Sequence, residues 1–352
     1  MAPVRATSDL LVTGNSFWGR RIETAAESSP LGLRWPFSRL HEFHKSRYDA
    51  WITGLECPTV PGVQPTEYEE ETILKFNCDP ASLTEAAKWF DIVSLANNHT
   101  DNQGPAGVVA TRRQLDRRGI LHFGDPDPSR LDQVCKVVPV AAEVRLDDGS
   151  TRPGHLPLGL CGYHGVFEIP PVESLEVMQR LSKWVPVLAL PHSGLEYVPQ
   201  ESGIKVDLYR SMIDHGADAV LGDHAHWVQN TEAYRGRPIV YSMGNFMFDQ
   251  QDDGEVTRSA AIRVRLTVDE QPGLEAWLEL GEQCAELTDC TSLVAQARLK
   301  QPKVSLGFGV VGTTNPGMLT RPATPEQTAA ILDRLDWSRT MAGLRTPYLE
   351  IR

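Results

Sequence analysis

Five short segments of this chain hold side chains able to do chemistry: TGNSFWGRR (13–21), TGLECPTV (53–60), SLANNHTDNQG (94–104), LPHSGLEY (190–197) and LGDHAHWVQ (221–229). Each follows a short apolar run of strand type. In an α/β sheet, loops beyond the carboxyl ends of strands converge on one crevice. Convergence would bring together Asn15, Glu56, Asn98, His99, His192, His224 and His226. Imidazoles beside a carboxylate and amide oxygens suit a divalent transition metal such as Zn²⁺, Mn²⁺ or Fe²⁺, as one ion or two. Each residue also has an ordinary reading. An HxH pair after a strand also makes a solvated turn. Asn98-His99 before Thr-Asp also makes a helix cap. His192 also fits a satisfied core histidine, and Glu56 an exposed strand end. Their joint occurrence at five strand ends favours the metal crevice.

The elements that must position these loops follow from the apolar pattern. Candidate strands are 10–14, 49–54, 91–95, 185–190 and 217–221; candidate helices are 80–89, 104–118, 172–182 and 203–215. Such alternation reads as an α/β fold with a largely buried sheet. Segment 134–163 reads as two extended runs around the turn-rich DDGSTRPG, hence a hairpin, and 230–243 as a second. After 258, SAAIRVRLTV and LEAWLEL read as antiparallel strands, which makes the sheet mixed. ATPEQTAAILDRLDW (323–337) has a Thr/Pro helix start. The acidic GVQPTEYEEET (62–72) has no periodicity and reads as a loop. No repeat or linker divides the chain. The expected organisation is a catalytic domain over 1–255, with 256–352 completing or packing on it.

The 352 residues are 41% hydrophobic and 23% charged, a soluble globular composition. No apolar run reaches the ~20 residues of a membrane span, and no signal-peptide pattern opens the chain. The expectation is a cytoplasmic protein without a membrane anchor. A net charge of −12 with no basic cluster argues against nucleic acid. An anionic small molecule or polymer is the expected substrate, met by a local cation. The six cysteines, at 57, 78, 135, 161, 284 and 290, form no CxxC. Cys284 and Cys290 are close enough for a local disulfide, but a reduced pair is expected in the cytosol.

The ordered set GLECP, SLANNHTDNQG, HSGLEY, GADAVLGDHAHWVQ and IVYSMGNFMFD resembles the CapA family, named for poly-γ-glutamate capsule synthesis. That family is similar in fold to the calcineurin-like metallophosphoesterases. The resemblance covers roughly residues 8–250. It implies a calcineurin-like four-layer αββα sandwich with mixed sheets. It also implies that Glu56 bridges two metals, that Asn98, His192 and His224 complete one metal's shell, and that His226 and residue 15 hold the other. His99 would be the general acid, worth about 10²–10⁴-fold. Asp101 would orient His99 or cap its helix, and Asp223 would stand behind a ligand histidine. The chain departs from the family twice: Asn15 stands where the family has Asp, and Gly54 where it usually has Asn. Asn15 can coordinate through its carbonyl oxygen but brings no charge.

Weaker candidates complete the reading. Arg20 and Arg21 suit an anionic substrate, and Tyr163 and His164 end a strand that reaches toward the pocket. Asn245 reads as fixing a turn, with Phe246 and Phe248 in the core. Trp18 and Trp227 suit either pocket wall or core. The expected function is a metal-dependent hydrolase of a phosphoester, or of an amide or peptide bond in a glutamate-type substrate. The alternative is a non-catalytic accessory or binding protein of capsule polymer synthesis with a structural or vestigial metal.

Overall fold

The first strand organises the molecule. The structure is a computed structural model and describes residues 1–351. Among these, fifteen strands join one hydrogen-bonded network. In chain order they are β1 Pro3–Ser16, β2 Ala50–Leu55, β3 Ile92–Ser94, β4 Leu121–Phe123, β5 Cys135–Leu146, β6 Thr151–Gly165, β7 Val187–Ser193, β8 Ala219–Leu221, β9 Thr231–Tyr234, β10 Arg237–Val240, β11 Asn245–Met247, β12 Arg258–Asp269, β13 Ser305–Thr314, β14 Arg321–Pro322 and β15 Tyr348–Glu350.

Strand β1 changes partners along its length. Residues Pro3–Thr7 pair antiparallel with β5. Residues Leu10–Ser16 pair parallel with β2. Strand β12 runs antiparallel beside Arg5–Val12. Two sheets therefore share β1. One runs β4-β3-β2-β1-β12-β13, with β14 and β15 both on β13; the other runs β1-β5-β6-β7-β8-β10-β9. Both mix parallel and antiparallel pairs.

Successive strand side chains point to opposite faces. Leu10, Val12 and Ile52 accordingly join one core cluster, with Ile262, Val138 and Leu158. Leu11 and Trp51 join another, with Phe90 and Phe246. The first sheet is thus apolar on both faces, which explains why its strands read as continuous hydrophobic runs. Its outer face is covered by Ile22 of helix Arg21–Ser28, Leu115 of helix Gly104–Asp116, and Phe37, Leu40 and Phe43. Helices Val172–Leu181 and Gly203–Asp214 pack on the second sheet through Leu175, Met178, Tyr209 and Met212. The layers are helix, sheet, sheet, helix: a mixed α/β sandwich of calcineurin-like type.

Several local expectations change. LEAWLEL belongs to a helix, Leu274–Ala285, not a strand. Of its six buried residues, all but Leu280, namely Leu274, Trp277, Leu278, Gly281 and Cys284, recur at intervals of three and four, the helical period. Seven residues were too few to separate that period from alternation. The 80–89 segment holds only a 3₁₀ turn, Pro80–Ser82, and a single helical turn, Leu83–Ala86. The acidic loop ends in a π-helical turn, Glu69–Ile73. The Thr324 start is a full capping box with Gln327.

The cysteine expectation is also corrected. Cys284 and Cys290 are disulfide-bonded, as are Cys57–Cys78 and Cys135–Cys161. Cys135 and Cys161 are cross-strand partners of β5 and β6. Spacing along the chain carries no trace of that register. Among the described residues, no helix is long and apolar enough to cross a membrane.

Candidate metal centre

The parallel strands β1, β2, β3, β6, β7 and β8 end at one edge, and their following loops carry the polar side chains. Asn98 Oδ1 lies 2.7 Å from His192 Nε2, which lies 3.0 Å from His224 Nδ1. Three donor atoms from three loops thus meet. Ligands of one cation with bonds of about 2.0–2.1 Å sit roughly 3.0–3.4 Å apart, so this spacing suits a shared ion.

A second group adjoins it. His226 Nε2 lies 3.8 Å from Glu56 Oε1 and 3.7 Å from Glu196 Oε1, and Glu196 Oε1 lies 3.9 Å from His224 Nε2. Asn15 sits in strand register between Gly54 and Asn245. Glu56 is 1% exposed and Asn15 is fully buried. Neither carboxylate oxygen of Glu56, and neither amide atom of Asn15, has a hydrogen-bond partner. A buried carboxylate without a hydrogen bond is costly; the His226 ring, 3.8 Å away, offsets part of that cost, and a metal cation would offset more. Among the described residues, no three His, Cys, Asp or Glu side chains close into a metal cluster by themselves.

Electrostatics follow from burial. Burial pushes Glu56 up to about 7. It pushes His224 down to about 3 and His192 well below the usual imidazole range. Both imidazoles are therefore neutral at pH 7, the form that coordinates metals. For His226 burial also lowers the pKa, but Glu196 and Glu56 outweigh it and hold the ring up at about 9. The backbone is held in an uncommon conformation here. Ten non-glycine described residues have positive φ, and four of them, Arg20, Tyr197, His224 and His226, lie at this centre. Such outliers concentrate at functional sites because packing must enforce them.

His99 approaches from the β3 loop. Its Nδ1 lies 3.1 Å from Asn102 Oδ1, which also accepts the Phe76 N–H at 2.8 Å. Asn102, not Asp101, therefore orients His99; Asp101 is exposed. Nor do Asn98 and His99 cap a helix, because the next helix begins at Gly104 with Gln103 in the cap position. Burial pushes His99 down to about 4.

The other candidates divide. Arg20 is partly buried and bonds Asp249 through two nitrogens, at 2.9 and 2.7 Å, while its guanidinium lies 4.6 Å from the Phe76 ring centre. Arg21 is half-exposed, 3.9 Å from Glu71, and borders an acidic cleft with Glu67 and Glu70. Tyr163 does not reach the pocket: it is buried in the core, and its hydroxyl donates to the Ser174 carbonyl. Its place on β6 follows strand alternation, which sequence alone did not phase. His164 is the strand partner of His192, with Nδ1 2.5 Å from the Pro126 carbonyl. Trp18 packs with Phe37 and Phe90 in the core.

Four residues join the site that sequence reasoning did not assign. Asn245 fixes more than a turn: its Oδ1 accepts from His226 Nδ1 at 2.8 Å. Asn97 Nδ2 lies 3.3 Å from His192 Nδ1, and its Oδ1 accepts the His99 N–H. Asn102 and Glu196 are the others. Asn97, Asn102 and Glu196 lie inside segments whose histidines stand out, and Asn245 in one without a histidine; an amide or carboxylate beside a motif carries no sign of its direction.

Fold and centre together define a mixed α/β sandwich with a buried, histidine- and carboxylate-lined crevice. The family described as bacterial capsule synthesis protein PGA_cap matches residues 9–143 and 177–250, and the chain belongs to that family. It is similar to the PGA biosynthesis protein CapA of Bacillus subtilis (strain 168), at 34% identity over 170 residues, 46% of this chain and 43% of that protein. It is also similar to the capsule biosynthesis protein CapA of Bacillus anthracis, at 41% identity over 64 residues, 18% of this chain and 16% of that protein. The chain thus spans less than half the length of either relative. The crystal structure of TT1561 of Thermus thermophilus matches over 72% of this chain and 93% of that one, at 10% identity and a TM-score of 0.34.

Proposed function

We propose that the chain is a metal-dependent hydrolase of an anionic substrate in capsule polymer metabolism. The scissile bond is a phosphoester, or an amide or peptide bond of a glutamate-type polymer. One observation carries the reading: Glu56 is buried with neither oxygen hydrogen-bonded, beside a cluster of Asn98, His192 and His224. Asn98, His192 and His224 would hold one divalent ion, of Mn, Zn or Fe type. Glu56 and His226, the latter on giving up its ring proton, would hold a second, with Asn15 at its edge. Such ions polarise the substrate's oxygen and lower the pKa of water at the site.

The chain's own residues supply positioning and proton transfer. Asn102 Oδ1 must accept from His99 Nδ1–H, because it already accepts a backbone N–H. In the neutral ring, Nε2 then bears the lone pair. His99 takes a proton at Nε2 from the attacking water and delivers it to the leaving group, which departs protonated. Arg20, held by Asp249 over Phe76, lends positive charge near the substrate but has little freedom to move.

The test is a hydrolase screen of metal-loaded protein over phosphoesters and γ-glutamyl amides, with His99→Ala alongside. Metal-dependent turnover that drops about 10²–10⁴-fold in the variant is expected. Unchanged turnover in His99→Ala rejects the assigned role. The alternative reading, an accessory binding protein, draws support from the uncharged Asn15. Stoichiometric metal with no turnover on any substrate would favour it.

The disulfides bear on location. Three bonds using all six cysteines suit an oxidising compartment rather than the cytoplasm. Alkylation of the protein from its native cells, followed by intact-mass measurement, should show no free thiol. Six alkylated cysteines would restore the cytoplasmic expectation.

A further inference from the structure

We propose that Asp223 supplies the carboxylate of the second half-centre, in the place that Asn15 leaves uncharged. The inference rests on the metal reading above and deepens it. Asp223 is 6% exposed, and its Oδ1 has no hydrogen-bond partner. With Thr13, Gly54, Asn97 and His192 it lines a cavity of about 20 Å³. That cavity lies on the His192 side, walled also by Leu190, Pro191 and Met243, and is the room one water fills.

Gly54 makes the arrangement sterically feasible. A Cβ at residue 54 would lie 3.5 Å from Asp223 Oδ2 and 3.9 Å from Asn15 Oδ1. A longer side chain at 54 would take the space between them. Instead the Asp223 carboxylate and the Asn15 amide share it, and Glu56 follows two residues on. The Asp223 backbone is fixed: its N–H donates to the Pro191 carbonyl at 2.9 Å, and it bridges to His192. Lys205, the buried amine nearby, bonds Gln229 Oε1 at 3.0 Å and the Asp223 main-chain carbonyl at 3.5 Å, not the carboxylate.

Charge bookkeeping points the same way. A divalent ion held by Asn15, Glu56 and His226 alone would meet a single buried negative charge. Asp223 adds a second from a neighbouring loop. Residues 15, 54 and 223 then form one set: an amide, a gap, and an acid that reaches across the gap.

The test measures metal binding rather than activity. Full-length wild type, Asp223→Asn, and the double variant Asp223→Asn with Asn15→Asp are titrated calorimetrically with Mn²⁺ and Zn²⁺, and metal content is read after dialysis. Asp223→Asn should lose one equivalent, or at least tenfold in affinity for it. Asn15→Asp should recover most of that loss in the double variant. Asp223→Ser provides the same comparison if the asparagine variant folds poorly, with near-ultraviolet circular dichroism as the folding check. Wild-type stoichiometry and affinity in both single variants would overturn the proposal and leave the metal reading standing. So would a double variant as weak as Asp223→Asn. Wild type that binds neither ion would instead overturn the metal reading itself.

Discussion

Replacing His224 by alanine is expected to lower affinity for the first divalent ion by more than about 100-fold and turnover by about 10²–10³-fold. Loss of outer partners of metal ligands alone costs 10–100-fold, and His224 supplies a donor atom directly. Its Nδ1 lies 3.0 Å from His192 Nε2, so the variant leaves His192 and Asn98 as an incomplete set. The backbone requires a control, because His224 has φ 88. Alanine is strained there while glycine is not. His224→Gly should therefore be more stable than His224→Ala, yet equally deficient in metal. Calorimetric titration with Mn²⁺ and Zn²⁺ measures the first effect, and denaturant unfolding the second. Wild-type turnover in both variants would reject the metal mechanism.

Replacing Gly14 by alanine is expected to destabilise the protein by about 3 kcal/mol or more, above the usual range for a packed-in methyl. A Cβ at Gly14 would lie 1.8 Å from the Gly244 carbonyl oxygen. No rotamer relieves such a clash, because both atoms belong to the main-chain framework. Strands β1 and β11 would have to separate, and they hold Asn15 and Asn245 in register. The damage should therefore reach the site. Asn245 would lose its place against His226, and metal binding would weaken along with stability. Gly203→Ala is the matched control: nothing lies within 4 Å of its added carbon, in the first turn of a helix. It should be neutral or slightly stabilising. Chemical unfolding of the two variants beside wild type decides the matter; equal midpoints for Gly14→Ala and wild type would show that the β1–β11 approach can relax.

Both predictions depend on residues whose importance was only partly written in the sequence. The histidines at 99, 192, 224 and 226 stood out because each follows an apolar strand, and strand ends gather at one edge of a parallel sheet. The hairpins at 134–163 and 230–243 were legible because turn residues sit between extended runs. The Leu274–Ala285 helix was misread because alternation and a helical face coincide over seven residues.

The amino-acid order by itself determined which loops feed the crevice, and that residue 15 is an amide where the family has an acid. Local patterns suffice for that, since periodicity and strand ends are properties of short windows. Only the tertiary structure decided what each side chain faces. It gave the orienting of His99 to Asn102 rather than Asp101. It turned Tyr163 into the core, joined Cys135 to Cys161 across β5 and β6, and set Glu196 beside two histidines. Those outcomes depend on strand register and on which loops meet in space. Register is fixed by long-range packing, in which a one-residue slip reverses every side chain, so no short window of sequence encodes it.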